Sequence, residues 1–272
     1  IPIGTPFELA AAVSDPNGDG VTHSWEQFDL GPQQPLTGAD NGLSPLFRCF
    51  APRAEAARVF PQWSDILSGV ATPGERLPQF APATRKFRLV ARDNFPGAGG
   101  VTISHNIEVQ VVQGTGPFVV TAPATGQVRT GGGAVRWDVA GTNLAPLNVT
   151  QVRIDLSLDG GTTFGTVLSE SEANDGEATV DFPAADAASA RVSVRAIGGI
   201  FFAVSGEFTL LACEPDYNGD GAVDQDDVSR LISIVGGGPN DMGLDPDFNR
   251  DGAVDQDDVT ALVHTVAGGG CP

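Results

Sequence analysis

Along residues 6–112 apolar and polar positions alternate in short runs separated by turn clusters: PFELAAAV, VTHSWEQFD, SPLFRCFAP, RKFRLVARD and VTISHNIEVQVV. A period of two predicts β-strands. In RKFRLVARD, Phe87, Leu89 and Ala91 share one face, and Arg88, Val90 and Arg92 share the other, as a sheet with one wet face requires. QGTGP (113–117) breaks the pattern. A second set follows: PFVVTA, AVRWDVAG, VTQVRIDLSLDGGTTFGTVL, EATVDFP, ARVSVRAIG and FFAVSGEFTLL. Within it Asp159-Gly160-Gly161 is a hairpin turn signal. The expectation is two β-sandwiches, residues 1–114 and 115–212.

The period changes beyond residue 212. DYNGDGAVDQDDVSRLISIVGGG (216–238) aligns with DFNRDGAVDQDDVTALVHTVAGGG (247–270), offset by 31 residues. Val228, Leu231, Ile232 and Val235 stand at i, i+3, i+4 and i+7, as do Val259, Leu262, Val263 and Val266, so each unit predicts one amphipathic helix. The Asp residues at each helix start suit the positive end of its dipole, and the Gly runs suit its end. Two helices with facing apolar stripes make a third, small domain at 213–272.

The segment before each helix has the EF-hand spacing, with oxygen-bearing side chains at loop positions 1, 3, 5, 9 and 12 and Gly at position 6. In the first loop Asp216, Asn218, Asp220, Asp224 and Asp227 supply side-chain oxygens, and Ala222 supplies a backbone carbonyl. In the second the set is Asp247, Asn249, Asp251, Asp255 and Asp258, with Ala253. Such oxygen-only ligands suit a hard cation, and two calcium ions are expected. A third stretch, DPNGDGVTHSWE (15–26), fits the same template through Asp15, Asn17, Asp19, Gly20 and Glu26. The β-branched alternation after Gly20 predicts a strand where a helix is needed, so it reads as a turn.

Composition sharpens this picture. The 35 Gly, 20 Pro and few aromatics fit many turns and short strands. A net charge of −19 argues against nucleic acid and anionic membranes as partners. Residues 213–272 hold 13 acids and two Arg, a net of −11, so the C-terminal segment is a separate electrostatic object. No run is apolar enough to span a membrane, and no membrane insertion is expected. The chain opens at Ile1 without Met or a basic leader and reads as a piece of something longer. Cys213 and Cys271 bracket the repeat, and packing two loop–helix units about a pseudo-twofold axis would bring them together. A Cys213–Cys271 disulfide is expected, with three reduced thiols as the alternative, and the disulfide implies an oxidising, extracellular location.

No enzyme motif appears. His23, His105 and His264 are far apart and none lies at zinc-ligand spacing from a Glu or second His. Asp155 and Asp159 read as hairpin residues rather than an acid–base pair, and Trp25, Trp63 and Trp137 as core rather than sugar platforms.

The paired loop–helix units resemble type I dockerins, calcium-dependent modules that bind cohesin receptors. Where dockerins often carry small hydroxyl residues at loop positions 10 and 11, this chain has Gln225-Asp226 and Gln256-Asp257. WEQFD (25–29), FPQWSDILSG (60–69), AVRWDVAGTNLAPLNVTQVRIDLSLDGGTTF (134–164) and NDGEATVDFP (174–183) resemble the β-rich region that follows the catalytic domain of bacterial reprolysin-like zinc metallopeptidases. The resemblances imply a mainly β chain: two immunoglobulin- or fibronectin-like sandwiches, then a small helical dockerin-like module. Its role would be non-catalytic, within a secreted bacterial enzyme. The partner would be a cohesin-like or cell-surface protein, docking on Gln225, Asp226, Ser229 and Arg230 or on Gln256, Asp257, Thr260 and Ala261. The alternative is a calcium-stabilised structural cap without such a partner.

Overall fold

The computed structural model describes residues 1–272. It is mainly β. The first six strands are β1 (Phe7–Ala10), β2 (Val21–Gln27), β3 (Ala57–Phe60), β4 (Ala83–Asp93), β5 (Val101–Ile103) and β6 (Ile107–Val111), with a short helix α1 (Trp63–Ser68) between β3 and β4. β1 and β3 form one antiparallel pair, and β4 is the centre of the other sheet, with β2 on one edge and β5 and β6 on the opposite one. Phe7, Phe47, Phe60 and Phe87 meet between the sheets, Phe7 and Phe60 stacked at 5.0 Å. The expected alternation on β4 holds for Phe87, Leu89 and Ala91, but Val90 is also buried, because the far face of that strand is partly covered.

Two expectations change here. SPLFRCFAP is not a strand: Leu46 and Phe47 are buried plugs whose amides both donate to the Gln27 side-chain oxygen, at 2.8 and 3.0 Å, in place of a ladder. The strand lies later, at Ala57–Phe60. VTISHNIEVQVV is broken in two, and His105 sits exposed in the break rather than on a strand.

The next nine strands are β7 (Val119–Ala122), β8 (Val128–Arg129), β9 (Gly132–Asp138), β10 (Gln151–Ser157), β11 (Thr166–Ala173), β12 (Glu177–Asp181), β13 (Ala187–Ala196), β14 (Phe202–Val204) and β15 (Phe208–Leu210). One sheet runs β11-β10-β13-β15-β8, with β14 also on β13, and the other runs β12-β9-β7. Val152, Ile154 and Leu156 of β10 and Ala190, Val192 and Val194 of β13 are fully buried against Val135 and Trp137 of β9.

The two sandwiches repeat one device. Ser104 interrupts β5–β6 and Ser205 interrupts β14–β15, and each Ser exchanges two bonds with the central strand. Leu89 N–H donates to Ser104 Oγ and Val192 N–H to Ser205 Oγ, both at 2.9 Å, while the Ser amides return bonds to the Leu89 and Val192 carbonyls. A single hydrophobic core of 29 buried residues runs through both sandwiches. Phe7 bridges to Phe201, Glu8 pairs with Arg195 at 2.8 Å, and the Trp63 indole donates to the Gly161 carbonyl at 2.6 Å.

The chain ends in helices α2 (Gln225–Val235) and α3 (Gln256–Val266). They pack around a separate core of Cys213, Tyr217, Val228, Leu231, Ile234, Phe248, Val259 and Leu262. No helix is long and apolar enough to cross a membrane.

Candidate metal centre

Each helix is started by its own loop. Asp224 is the N-cap of α2, its carboxylate accepting from Asp226 N–H at 2.9 Å, and Asp227 returns a bond by accepting from Asp224 N–H at 2.9 Å. Asp255 and Asp258 repeat this at α3, both at 2.8 Å. This reciprocal cap satisfies amides that a helix start leaves without partners. Asp227 reaches further back, accepting from Asn218 N–H at 3.1 Å, and Asp258 does the same to Asn249 at 3.0 Å. Loop positions 3, 9 and 12 are thus drawn onto one carboxylate in both units.

The turn inside each loop is closed by position 1. Asp216 accepts from Gly219 and Gly221, and Asp247 accepts from Asp251 and Gly252. Gly221 and Gly252 have φ of 85° and 90°, a backbone shape that side chains disfavour. Position 4 is Gly219 in the first loop but Arg250 in the second, where φ is still +60°, so the second loop carries a strained non-Gly residue. At position 2, Tyr217 and Phe248 meet edge to face at 6.1 Å across the repeat axis. The Tyr217 hydroxyl donates to the Asp245 carbonyl at 2.6 Å, and burial, followed by the charges of Asp245, Asp258, Asp247 and Glu214, pushes its pKa up.

The donor chemistry fits a hard cation. Asp227 and Asp258 are fully buried, and neither has a cationic partner; the module's one ion pair joins Arg230 to Asp241. Each accepts its hydrogen bonds from backbone amides alone, which leaves lone pairs on a buried charge. The Ala222 and Ala253 carbonyls accept no hydrogen bond from the protein. The remaining carboxylates are turned onto amides of their own loops, and no three acidic, His or Cys side chains converge as a ready-made ligand group. Calcium would draw on Asp216, Asn218, Asp220, Ala222, Asp224 and Asp227 in one loop and on Asp247, Asn249, Asp251, Ala253, Asp255 and Asp258 in the other.

Cys213 and Cys271 are joined, with Cα atoms 5.8 Å apart, which ties the module's ends; Cys49 is a free, exposed thiol. The helix stripes are narrower than the spacing predicts. Ile234 of α2 is buried, whereas Ile232 and Val263 are 51% and 46% exposed, because two helices cover only one side of each other. Gln225, Asp226, Ser229, Gln256, Asp257 and Thr260 are exposed. Arg230 is engaged by Asp241 at 2.8 Å and Ala261 packs on the small core, so the two expected docking faces are less alike than their sequences.

Elsewhere the candidate groups stay apart. Asp15 accepts from the amides of Asn17 and Asp19, closing a turn, and Glu26 lies on β2 bonded to Arg88. Asp155 is a buried mid-strand residue paired with Arg153, not a hairpin residue; Asp159 alone organises the turn. Trp25 and Trp137 are core. Trp63, also expected in the core of a sandwich, is instead half-buried on α1, against Phe164 and Phe202 of the second sandwich.

No family model matches the chain and no curated protein matches it. Among solved structures it is similar to the chicken CNTN1 FN1-FN3 domains (10% identity, 76% of this chain and 63% of that one, TM-score 0.27). It is also similar to Sidekick-1 immunoglobulin domains 1-5 (12%, 78% and 35%, TM-score 0.22). A chimeric titin Z1Z2-Z1Z2 tandem gives 14% identity, 77% and 92% coverage and a TM-score of 0.26. All three are immunoglobulin- or fibronectin-type β-domain arrays, and the chain spans under two thirds of the first two. Likeness this low assigns neither family nor function, and the comparisons leave the dockerin-like and metallopeptidase-like resemblances without support.

Proposed function

We propose that residues 213–272 are a calcium-loaded attachment module carried on a non-catalytic two-sandwich stalk of a secreted protein. The observation that carries this reading is the pair of fully buried carboxylates, Asp227 and Asp258, with no protein cation beside either. A buried unpaired charge is costly, and a divalent ion bound by the loops would offset it while its binding free energy became folding free energy. The exposed residues Gln225, Asp226 and Ser229, and their counterparts Gln256, Asp257 and Thr260, would face a cohesin-like or cell-surface protein. These faces are acidic, so the receptor would offer Arg or Lys and binding would weaken with salt. The parent protein would be an extracellular bacterial enzyme, and the metallopeptidase-like motifs of the sandwiches make a zinc peptidase domain upstream its natural companion.

A second reading, a calcium-stiffened cap with no partner, draws on the Arg230–Asp241 pair and the packed Ala261, which break the likeness of the two faces. Hydrogen exchange with and without chelator tests the shared premise. Amides of residues 216–266 should exchange much faster when calcium is removed, while those of residues 1–112 should not change. Unchanged exchange in the module would overturn both readings. Calcium-dependent capture of one secreted protein, lost when Gln225, Asp226, Gln256 and Asp257 are all changed to Ala, would separate attachment from capping.

A further inference from the structure

Asn followed by Gly occurs three times, at 17–18, 41–42 and 218–219, and the last pair occupies positions 3 and 4 of the first calcium loop. Asn-Gly is the dipeptide most open to a reaction with itself. The deprotonated Gly nitrogen attacks the Asn Cγ, the side-chain nitrogen leaves as ammonia with that proton, and a five-membered imide forms. Water then opens the ring on either side. One product is Asp, and the other is isoaspartate, which carries an extra methylene in the backbone. Gly permits the attack because no side chain crowds its nitrogen.

The three copies are held differently. Asn17 is exposed, its side chain makes no hydrogen bond, and Gly18 N–H has only a long contact of 3.3 Å to the Asp15 carbonyl. Asn41 is pinned: its Oδ1 accepts from the Leu43 and Ser44 amides at 2.9 and 2.8 Å, its Nδ2 donates to Gln34 and Ser44, and Gly42 N–H donates to Asp40. Asn218 is pinned by the calcium loop itself. Its Oδ1 accepts from Asp220 N–H at 2.8 Å, its Nδ2 donates to the Asp220 carboxylate at 3.1 Å, and the attacking atom, Gly219 N, donates to Asp216 at 2.7 Å. A carboxylate accepting from Gly219 N–H keeps the proton on the nucleophile.

The second loop supplies a comparison within the same chain. Asn249 has matching contacts to Asp251, from Nδ2 at 3.1 Å and to Oδ1 at 2.9 Å, but position 4 is Arg250, whose side chain stands beside the nitrogen. A left-handed backbone, φ +60°, is strained for Arg250, whereas +75° is relaxed for Gly219. A Cβ on Gly219 would also stand 2.8 Å from Met242 Cε. The first loop is thus the less strained of the two and, once opened, the more reactive.

We propose, on the calcium reading of that loop, that Asn218-Gly219 is a calcium-gated modification site. While the loop is formed the pair is inert; when calcium is lost the freed pair cyclises and opens to isoaspartate, which disables the loop permanently. The extra backbone methylene between positions 3 and 4 moves the later ligands out of step with those before them. The Asp product stays competent, because position 3 admits Asp as well as Asn.

Incubation of the full chain at mildly alkaline pH, in excess calcium or excess chelator, followed by peptide mass mapping and hydrogen exchange, tests it. Asn17 should convert equally in both, and Asn41 in neither. Asn218 should keep its amide in calcium and convert at least about tenfold faster in chelator, since reaction from an opened loop follows the opened population. Asn249 should lag far behind it. On return of calcium, the first loop should stay unprotected in the fraction that carries isoaspartate, whereas an Asn218→Asp chain given the same treatment should regain its protection. Exchange that quickens in chelator while Asn218 keeps its amide would overturn the gate and leave the calcium reading standing. So would equal conversion of Asn218 in calcium and in chelator, or full recovery of the isoaspartate-bearing chain. Unchanged exchange in chelator would overturn the calcium reading and the gate together.

Discussion

Single hydroxyls and carboxylates fix several of the turns on which the strands depend. Ser205 Oγ is the only partner of the buried Val192 amide on the central strand β13, and it also donates to the Gly206 carbonyl. Ser205→Ala leaves that N–H without a partner, so a loss of about 1–3 kcal/mol is expected in denaturant titration, whereas Ser189→Ala, which removes only an exposed contact to Glu207, should stay within about 0.5 kcal/mol of the parent. Asp159 is the matching case for charge. The Ser157 hydroxyl at 2.6 Å, then the Thr163 amide and hydroxyl, hold its carboxyl down at about 2, below the ordinary 3.8. A depressed carboxyl favours the folded state above its ordinary pKa, and that contribution is lost as pH falls through about 2. Carboxyl-carbon NMR should place the Asp159 midpoint near pH 2, and Ser157→Ala should move it back up; a midpoint in the ordinary range for the parent chain would contradict the hydrogen bonding described. Asp-Gly-Gly was legible as a turn because Asp and Gly carry that preference locally. The role of Ser205 was not, since a lone Ser in an apolar run gives no sign of which amide it will meet across the sheet.

At the scale of elements, most strands could be read from period two, because burial of one face forces alternation. The exceptions have a common cause. Leu46 and Phe47 carry a strand-like pattern but are held by Gln27, a residue 19 positions earlier that no local window includes. Ile232 and Val263 sit on helical apolar positions yet face outward, because a two-helix module has no third element to cover them. The EF-hand-like spacing was legible in the sequence, since its oxygen-bearing positions and the turn Gly fall within twelve residues, whereas the burial of Asp227 and Asp258 emerges only when α2 and α3 pack. That small core of eight residues is supplemented by the Cys213–Cys271 bond, which closes 58 residues of sequence separation. On the chain-entropy account the bond contributes about 4 kcal/mol. Cys213→Ser with Cys271→Ser should therefore leave residues 1–112 unchanged and make the module's protection far more dependent on calcium concentration. Equal protection of α2 and α3 with and without the bond, at low calcium, would mean that the two helices hold each other unaided.

For the whole molecule, the junction between the two sandwiches is made of core rather than linker. Inter-domain contacts within a chain are commonly small and polar, which permits relative motion. Here the Phe118 and Phe201 rings meet at 5.3 Å, Phe118 N–H donates to Thr5 Oγ1 at 2.9 Å, and β1 bridges directly to the segment leading into β14. Helix α1 supplies the clamp. Trp63 donates to Gly161 and packs on Phe164 and Phe202, while Leu67 lies so close that a Cβ on Gly161 would stand 2.6 Å from its Cδ2. Gly161 also has φ of 95°, so both space and backbone shape require glycine there. None of this was legible locally, since Trp63 and Gly161 are 98 residues apart and each looks ordinary in its own segment. Trp63→Ala removes the ring and leaves a cavity between the sandwiches, and a half-buried Trp at such a joint should cost about 2–4 kcal/mol. The more telling readout is where the loss appears. If the junction couples the sandwiches, hydrogen exchange should quicken both in α1 and in the β10–β11 loop around Gly161, and the thermal transition of residues 1–212 should split in two. Loss confined to residues 1–112, with the second sandwich keeping its own protection, would mean that the shared core lends contact but no cooperativity.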